Sequence, residues 1–199
     1  KKHAVAVIGL GSMGMGAAKS CIRAGLETYG VDINNDALKT LTDFGAAGTS
    51  ASCRDFAANL DSVVLLLVNG AQVKNVLFEE DLVSVLPPGT GVMVSATMSV
   101  QDAQEIGTAL EKQGLVPLDA PVSGGAAKAE AGEMTVMASG SETAFEMLQP
   151  VLDATAAKVY RVGSQIGMGA TVKIIHQLLA GVHIAVGAEA MAMAAKAGI

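Results

Sequence analysis

Cysteine is scarce in this sequence, which contains only Cys21 and Cys53. The two lie on different predicted helices without metal-like spacing, so a disulfide scaffold is excluded and we expect small buried thiols in a reducing compartment. Histidine is also rare, and His3, His176 and His183 are too scattered to form a catalytic zinc site with either cysteine. We therefore expect no bound metal.

Basic residues are too few to balance the acidic ones, which leaves a net charge of -6 and a pI of about 5.0. Nucleic acid and anionic membrane surfaces both need a basic face, so neither is expected as a partner. No signal peptide is recognisable, because Lys1-Lys2-His3 leads directly into a predicted strand, and we expect a cytoplasmic protein. The most apolar segment, Ile174 to Ala188, contains three polar residues and is shorter than the ~20 residues of a membrane span. We expect it to pack against protein.

Aromatic residues make up only 3% of the chain, whereas 51% is hydrophobic and 23 residues are glycine. This composition suits closely packed α/β layers. Strand-like runs alternate with helical patterns, which predicts an α/β fold of Rossmann type, with a doubly wound, mostly parallel sheet. Beyond the first strand, the predicted strands are Gly25–Val31, Ser62–Val68, Gly91–Ser95, Leu115–Leu118, Met134–Ala138 and Lys158–Val162, and the clearest helices are Ser99–Lys112 and Ser141–Leu152.

A glycine turn follows the first apolar run, Ala4 to Ile8, and has the sequence Gly9-Leu10-Gly11-Ser12-Met13-Gly14. A helical pattern and a second strand follow, and that strand ends at Asp32, 18 positions past Gly14. In this context GxGxxG predicts dinucleotide binding. Gly9 permits the turn, Gly11 lets the backbone approach a pyrophosphate, and Gly14 lets the helix pack on the sheet. The free amides and the positive end of the helix dipole favour a phosphate there.

Asp32 decides which dinucleotide is expected. Its carboxylate can accept hydrogen bonds from the adenosine ribose hydroxyls, whereas the 2′-phosphate of NADP would bring like charges together. No arginine follows to offset that repulsion, so NAD is expected. Alternatively, Asp32 merely caps the next helix. Ile33 beside it, and Val68 and Asn69 at the end of a later apolar run, complete this part of the predicted cofactor site.

A single long helix of roughly 27 residues, about 40 Å at 1.5 Å per residue, is predicted from about Gly169 to Ala197. It is apolar nearly all the way round, unlike a lone surface helix, and Gly198 is placed to stop it. The chain has too little to enclose this helix, so we expect a homo-oligomer formed through residues 169–197 or a missing helical domain. We divide the chain into an NAD-binding domain, 1–163, and residues 164–199, an interdomain helix that begins a truncated all-α domain.

Two later segments carry candidate chemistry. The strand ending in Ser123-Gly124-Gly125 offers a hydroxyl and consecutive amides suited to a carboxylate, although an ordinary glycine turn has the same residues. Lys173 shares one helix face with His176 and Gln177, at i, i+3 and i+4.

The setting of Lys173 is apolar, so burial should lower its pKa and let the neutral amine accept a proton. At an ordinary pKa of about 10.4, only ~0.04% of a lysine is neutral at pH 7, and a pKa near 8 raises this to ~10%. The alternatives are a lysine that snorkels to the surface and, for His176, a hydrogen-bonded core histidine.

The chain resembles the β-hydroxyacid dehydrogenase family, which includes 3-hydroxyisobutyrate dehydrogenase, over essentially all of its length. The motifs that carry the resemblance are the glycine turn, the loop from Asp119 to Gly125, and the helix start from Gly167 to Lys173. The resemblance implies NAD as cofactor, Lys173 as the catalytic lysine, and Thr97 at the nicotinamide end of NAD. It also implies that Ser123, Gly124 and Gly125 hold the substrate carboxylate, and that an all-helical domain follows.

His176 departs from the family pattern, which usually has asparagine three positions after the lysine. The neighbouring 6-phosphogluconate dehydrogenases have lysine, two apolar residues, histidine and asparagine, similar to the stretch from Lys173 to Gln177. The combination is most similar to the branch that oxidises L-threonate and acts on four-carbon sugar acids. A histidine can donate or accept a hydrogen bond toward an extra hydroxyl.

We therefore expect NAD-dependent oxidation of a secondary hydroxyl on a small hydroxy acid, with Lys173 as general base. His176 and Gln177 would orient the other hydroxyls. One alternative is a 3-hydroxyisobutyrate-type or tartronate semialdehyde-type dehydrogenase or reductase. Another is a non-catalytic NAD-binding scaffold, for which loss of the lysine would be the mark. A third is a Rossmann-type enzyme with a different cofactor, such as a methyltransferase.

Overall fold

The computed structural model describes all 199 residues, with nine strands and seven α-helices. Two 3-10 turns, Cys53–Asp55 and Ala57–Asn59, and one π-helical turn, Asn75–Glu79, connect elements in the first half of the chain. The regular elements of that half are β1 (Ala4–Ile8), α1 (Gly14–Arg23), β2 (Glu27–Val31), α2 (Asn35–Phe44), β3 (Gly48–Ser50), β4 (Ser62–Leu65) and α3 (Gly70–Lys74). Those of the second half are β5 (Gly91–Val94), α4 (Val100–Lys112), β6 (Val116–Asp119), β7 (Val122–Ser123), α5 (Gly125–Ala131), β8 (Met134–Gly140), α6 (Glu142–Thr155), β9 (Ala156–Gly163) and α7 (Met168–Lys196).

The strands form one sheet in the order β3-β2-β1-β4-β5-β6-β8-β7, and β9 also pairs with β8. Strands β1 to β6 pair in parallel. Strand β8 runs antiparallel to β6 and β7 and parallel to β9. The predicted Rossmann-type, mostly parallel sheet is confirmed. Because the strand order reverses between β1 and β4, a crevice is expected at the carboxyl ends of these two strands.

Both faces of the sheet are buried, because the residues of its central strands alternate between two apolar clusters. In β1, Val5 and Val7 belong to one cluster, and Ala6 and Ile8 belong to the other. A parallel strand covered on both faces requires such an uninterrupted apolar run. The clusters contain 22 and 21 buried residues, so the helices cover the two faces about equally.

Strand β4 is shorter than its apolar run predicts, since it ends at Leu65 and not at Val68. The backbone N–H of Val68 donates to the side chain of Gln72 at 3.0 Å, and the side chain of Asn69 accepts from the N–H of Gln72 at 3.0 Å. These two bonds start α3 and turn the chain away from the sheet. The run therefore supplies a strand followed by a loop at its carboxyl end.

The predicted long helix is present as α7, of 29 residues, and only Gly169, Ala170 and Lys173 on it are buried. The rest of this chain does not enclose its apolar surface, and large side chains such as Leu178 and Ile184 are 67% and 74% exposed. The segment Ile174 to Ala188, predicted to be too short for a membrane span, is only part of this longer helix. By length and composition α7 could span a bilayer, with a mean hydropathy of 1.6 over 18 residues, none of them buried.

Candidate active site

The glycine turn between β1 and α1 has the geometry that its three glycines require. Gly9 has φ +91°, and a Cβ on Gly14 would lie 1.7 Å from the carbonyl oxygen of Gly9. A Cβ on Gly11 would meet nothing within 4 Å. Helix α1 begins without a capping side chain and without an acidic residue in its first turn. The turn therefore leaves space and unpaired N–H groups where a pyrophosphate would bind.

Asp32 follows β2 and faces the glycine turn. One carboxylate oxygen accepts from the N–H of Leu10 at 2.6 Å, and the other accepts from the N–H of Asn34 at 2.8 Å. The alternative that Asp32 caps the next helix is wrong, because Asn34 is the N-cap of α2 and accepts from the N–H of Asp36 at 2.9 Å. The carboxylate stands at the position where a ribose would be recognised.

A cleft of about 630 Å³ opens at the carboxyl ends of β1, β2 and β4 and brings together six of the predicted cofactor residues. Those six are Gly9, Gly11, Asp32, Ile33, Val68 and Asn69. Ile33 and Val68 are 93% and 76% exposed, which is unusual for apolar side chains of this size. Exposed apolar groups around a few polar ones are typical of a pocket for an aromatic ligand such as adenine. Gly11, Asp32 and the cleft together fit the parts of NAD.

Not every predicted cofactor residue lines this cleft. Leu10, Ser12, Met13 and Gly14 belong to the glycine turn but lie outside the lining set. Thr97, an exposed residue beyond the end of β5, is outside it too. Part of the opposite wall of the cleft was not predicted, because no sequence motif marks those residues. The missed lining residues include Ala51, Cys53, Ala71, Gln72, Asn75, Val76 and Glu80.

Lys173 lies on the buried face of α7 and is only 6% exposed. Burial alone lowers the pKa of its amine, since no charged group acts on it. The snorkelling alternative is wrong, because the residue as a whole is buried. A partly desolvated amine without a counter-ion is suited to take up a proton.

A second groove of about 350 Å³ lies between β7, β8 and β9 on one side and α7 on the other, and its lining includes Val172 and His176 of α7 but not Lys173. It brings together Ser123 and His176, which the sequence assigns to substrate binding. Its other lining residues are Thr135, Met137, Tyr160, Val162 and Val172. No sequence pattern points to Thr135 or Tyr160, because their proximity to Ser123 arises from strand pairing.

The remaining predicted substrate residues flank this groove without lining it. Gly124 and Gly125 have φ of +129° and +69° and start helix α5. Gln177 is exposed, and its side-chain oxygen lies 3.2 Å from Nδ1 of His176. His176 is itself exposed, so the alternative of a core histidine is wrong.

The buried side chains of Asp119, on β6, and Ser139, on β8, contact the start of α7. These contacts were not predicted from the sequence. Asp119 is 5% exposed, and its Oδ2 accepts from the N–H groups of Gly167 and Ala170, each at 2.9 Å. Ser139 donates to the same oxygen at 3.2 Å and accepts from the N–H of Gly169 at 3.0 Å. Burial raises the pKa of Asp119, although these hydrogen bonds act in the opposite direction.

The two cysteines are free and buried, and burial raises the pKa of each thiol to about 12. Protonated thiols are poor nucleophiles and poor metal ligands. The structure contains no group of three or more His, Cys, Asp or Glu side chains that could hold a metal ion.

Residues 4–163 match the family described as the NAD binding domain of 6-phosphogluconate dehydrogenase. Among curated proteins, the chain is 66% identical over 200 residues to an L-threonate dehydrogenase of Haemophilus influenzae, covering 100% of this chain and 66% of that protein. It is 34% identical to an NAD-dependent L-serine dehydrogenase of Pseudomonas aeruginosa, covering 98% and 65%. The chain thus spans slightly less than two thirds of the length of these relatives.

Among solved structures, a 3-hydroxyisobutyrate dehydrogenase from Salmonella typhimurium superposes with a TM-score of 0.94 at 58% identity. The match covers 100% of this chain and 69% of that one. Together with the match to an NAD-binding domain, this similarity overturns the alternative of a methyltransferase with a different cofactor.

Proposed function

Because this chain belongs to the β-hydroxyacid dehydrogenases, whose NAD-binding domain it carries, we propose that it is the part of an NAD-dependent enzyme that oxidises a secondary hydroxyl of a small hydroxy acid. The observation that carries the proposal is Lys173, a buried lysine, 6% exposed and without a counter-ion, on the same helix as Val172 and His176, which line the groove that contains Ser123. When bound, NAD accepts a hydride from the substrate carbon.

Lys173 acts in this proposal as the general base. Because burial lowers its pKa, a larger share of the amine is neutral near pH 7 than in an exposed lysine, and Nζ can take the proton of the substrate hydroxyl. The resulting ammonium then stabilises the partial negative charge on the forming carbonyl oxygen. In the reverse direction the same ammonium returns the proton.

Ser123, Gly124 and Gly125 hold the substrate carboxylate in this proposal. Ser123 lines the groove, and the consecutive backbone N–H groups of the two glycines that follow it can donate hydrogen bonds to an anion. A fixed carboxylate orients the carbon to be oxidised. No cationic side chain is needed for this role.

His176 supports a polyhydroxylated acid as the substrate. It is an exposed residue that lines the groove, and its Nδ1 lies 3.2 Å from the Gln177 side-chain oxygen, so a neighbour orients one of its two ring nitrogens. Thr135 and Tyr160 add two further hydroxyls to the same groove. We propose a four-carbon sugar acid such as L-threonate, the substrate named for a relative at 66% identity.

The division at residue 163 and the role of α7 are proposals as well. Residues 1–163 end with β9 and form the NAD-binding domain, whereas residues 164–199 lead into and form α7. We propose that the exposed apolar surface of α7 packs against protein in a homo-oligomer or a helical domain, and that the protein works in the cytoplasm. Lys173 and two histidines on this helix would be costly inside a bilayer.

A panel of hydroxy acids tests the proposal on the full-length enzyme. Purified protein is mixed with L-threonate, its four-carbon stereoisomers, 3-hydroxyisobutyrate and L-serine, each with NAD or NADP, and formation of the reduced cofactor is followed by absorbance. We expect the highest kcat/KM with a four-carbon sugar acid and NAD. Preference for 3-hydroxyisobutyrate would favour the simpler substrate class. NADH binding without turnover of any acid would favour a non-catalytic scaffold.

A further inference from the structure

Helix α7 is attached to the sheet mainly through its first two turns. Its buried residues are Gly169, Ala170 and Lys173, and from Ile174 onward its side chains are largely exposed. Ala170 and Gly169 precede Lys173 by three and four positions, so the three residues form one continuous face of the helix. The attachment of that face therefore determines where the Lys173 side chain lies.

Three hydrogen bonds from backbone N–H groups hold the start of α7 to Asp119 and Ser139, and a fourth joins these two side chains to each other. Asp119 accepts from the N–H groups of Gly167 and Ala170 and from the Ser139 hydroxyl, while Ser139 accepts from the N–H of Gly169. Helix N-termini leave such N–H groups without intrahelical partners. Here two side chains from β6 and β8 supply the acceptors, in a site where Ser139 is fully buried.

The start of α7 also packs closely against the sheet. A Cβ on Gly169 would lie 2.6 Å from the carbonyl oxygen of Met137 and 2.8 Å from that of Asp119. Gly167 has φ +100°, a conformation that favours glycine. The first turn therefore has little freedom to slide or rotate while these contacts persist.

Asp119 does not act on Lys173 as a counter-ion. The hydrogen-bonded oxygen of the carboxylate faces backbone N–H groups and a hydroxyl, and burial alone accounts for the lowered pKa of the lysine. Asp119 also ends β6, four residues before Ser123. One carboxylate thus joins the strand that leads to the proposed substrate loop with the helix that carries the proposed base.

We propose that Asp119 and Ser139 are positioning residues, which set the height and rotation of α7 and thereby hold Lys173 in the place where it works. This inference rests on the proposed function of Lys173 as general base. Neither side chain needs to touch the substrate or the cofactor. If the hydrogen bonds of either residue were lost, the first turn of α7 could move and water could reach Lys173.

Asp119→Asn and Ser139→Ala in the full-length enzyme test this inference, with Ser20→Ala as the matched control. Ser20 is also a buried serine, 3% exposed, but its hydroxyl binds the carbonyl of Ala129 and joins α1 to α5. We expect both test variants to lose about tenfold to a hundredfold in kcat/KM, because small displacements of a catalytic group are costly. The dissociation constant of NADH should stay within about twofold, since the cleft lies on other elements.

The pH profile separates positioning from simple loss of stability. When Lys173 becomes more hydrated its pKa rises, so the acidic limb of kcat/KM should move to higher pH in both test variants and stay in place in Ser20→Ala. Of the other charged groups on elements that contact α7, Glu111 and Lys112 are exposed in the last turn of α4, and the rest have partners elsewhere. Asp102 and Glu105 of α4 bind Lys74, Arg161 of β9 binds Glu142, Lys158 of β9 lies over the Tyr160 ring, and β8 has no titratable side chain.

Hydrogen exchange gives a readout that does not depend on turnover. The amides of Gly167, Gly169 and Ala170 should exchange about tenfold faster or more in the test variants than in wild type and Ser20→Ala. Unchanged exchange and an unmoved acidic limb, with only a lower melting temperature, would overturn the inference. If Lys173→Met retains near-normal turnover, the proposed function itself is wrong, and that result is distinguishable from failure of the positioning role.

Discussion

The backbone N–H of Leu10 donates a hydrogen bond to the carboxylate of Asp32 at 2.6 Å, across 22 residues of chain. This bond joins the glycine turn after β1 to the end of β2. The second carboxylate oxygen is bound by the N–H of Asn34. Asp32 is therefore oriented at the mouth of the nucleotide cleft by its own protein, before any ribose is present.

Replacement of Asp32 by asparagine should weaken NADH binding and reduce discrimination against NADPH. Hydrogen bonds to a charged group contribute about 1.5–3 kcal/mol, which corresponds to roughly a tenfold to hundredfold loss of affinity. Removal of the negative charge should also lower the dissociation constant of NADPH relative to that of NADH. Nicotinamide fluorescence measures both, since the chain has no tryptophan. Asp43→Asn, which removes an exposed carboxylate paired with Lys39 on α2, should leave both constants unchanged.

Alanine at Gly11 and at Gly14 should have opposite consequences. A Cβ at Gly11 meets nothing within 4 Å, so the melting temperature should stay within a few degrees of wild type, while NADH affinity falls tenfold or more because the methyl group occupies the pyrophosphate position. A Cβ at Gly14 lies 1.7 Å from the Gly9 oxygen, so Gly14→Ala should destabilise the fold by at least about 1–3 kcal/mol. Thermal unfolding and NADH titration check the pair. Equal effects of the two variants would contradict the geometry of the turn.

Lys173→Met should abolish turnover without disturbing the cofactor site. Methionine fills a similar volume in the buried site but cannot carry a proton, so kcat should fall by about a hundredfold to ten-thousandfold. NADH affinity should change by less than a few fold. Lys196→Met, at the exposed end of the same helix, is the matched control and should retain full activity. Steady-state rates of the full-length enzyme decide the outcome.

The same substitution should stabilise the fold at neutral pH. The folded-state pKa of Lys173 is lowered, so between that value and its unfolded pKa the unfolded chain binds more protons and stability rises with pH. Lys173 thus destabilises the fold below its folded pKa, and this penalty disappears above the unfolded value of about 10.4. The melting temperature of Lys173→Met should exceed that of wild type at about pH 7, and the difference should shrink near pH 10. A constant difference would indicate that the amine is hydrated in the folded state.

The exposed surface of α7 should cause the 199-residue chain to associate. Leu178 and Ile184 are 67% and 74% exposed, and an apolar surface of this extent favours contact with a second copy. Light scattering at tens of micromolar should show a dimer or larger species. The double variant Leu178→Glu with Ile184→Glu should shift the population toward monomer with little change in melting temperature. A monomeric wild-type chain would contradict this prediction.

Local sequence patterns were sufficient to predict the nucleotide-binding half of the fold. The apolar run, the three glycines and Asp32 lie within 32 residues, and each acts through backbone geometry that the neighbouring residues determine. Helices α4 and α6 were likewise recognisable from their helical residue patterns, and the structure shows that Ser99 and Ser141 cap them. The short strand β3 was not identified, since three residues carry no periodicity and the strand exists only through pairing. The strand predicted to end at Ser123 is divided into β6 and β7.

Close packing between distant segments was also invisible in the sequence. A Cβ on Gly16 would lie 2.4 Å from the backbone nitrogen of Glu130, so α1 requires glycine there for its contact with α5. Nothing near Gly16 in the sequence indicates that need. The same holds for Thr135, which pairs with Ser123 only because β7 and β8 are antiparallel neighbours.

By itself the sequence determined that this chain folds as a Rossmann-type sheet, carries an NAD-binding turn, and has a lysine in an apolar helical setting. Those properties follow from contacts between residues close along the chain. Only the tertiary structure decided that Lys173 is buried without a counter-ion and that Asp119 and Ser139 anchor its helix, because the bonds of Asp119 to Gly167 and Ala170 span 48 and 51 residues. Such bonds form only after the strands have brought distant segments together, so their energetic role cannot be derived from local sequence.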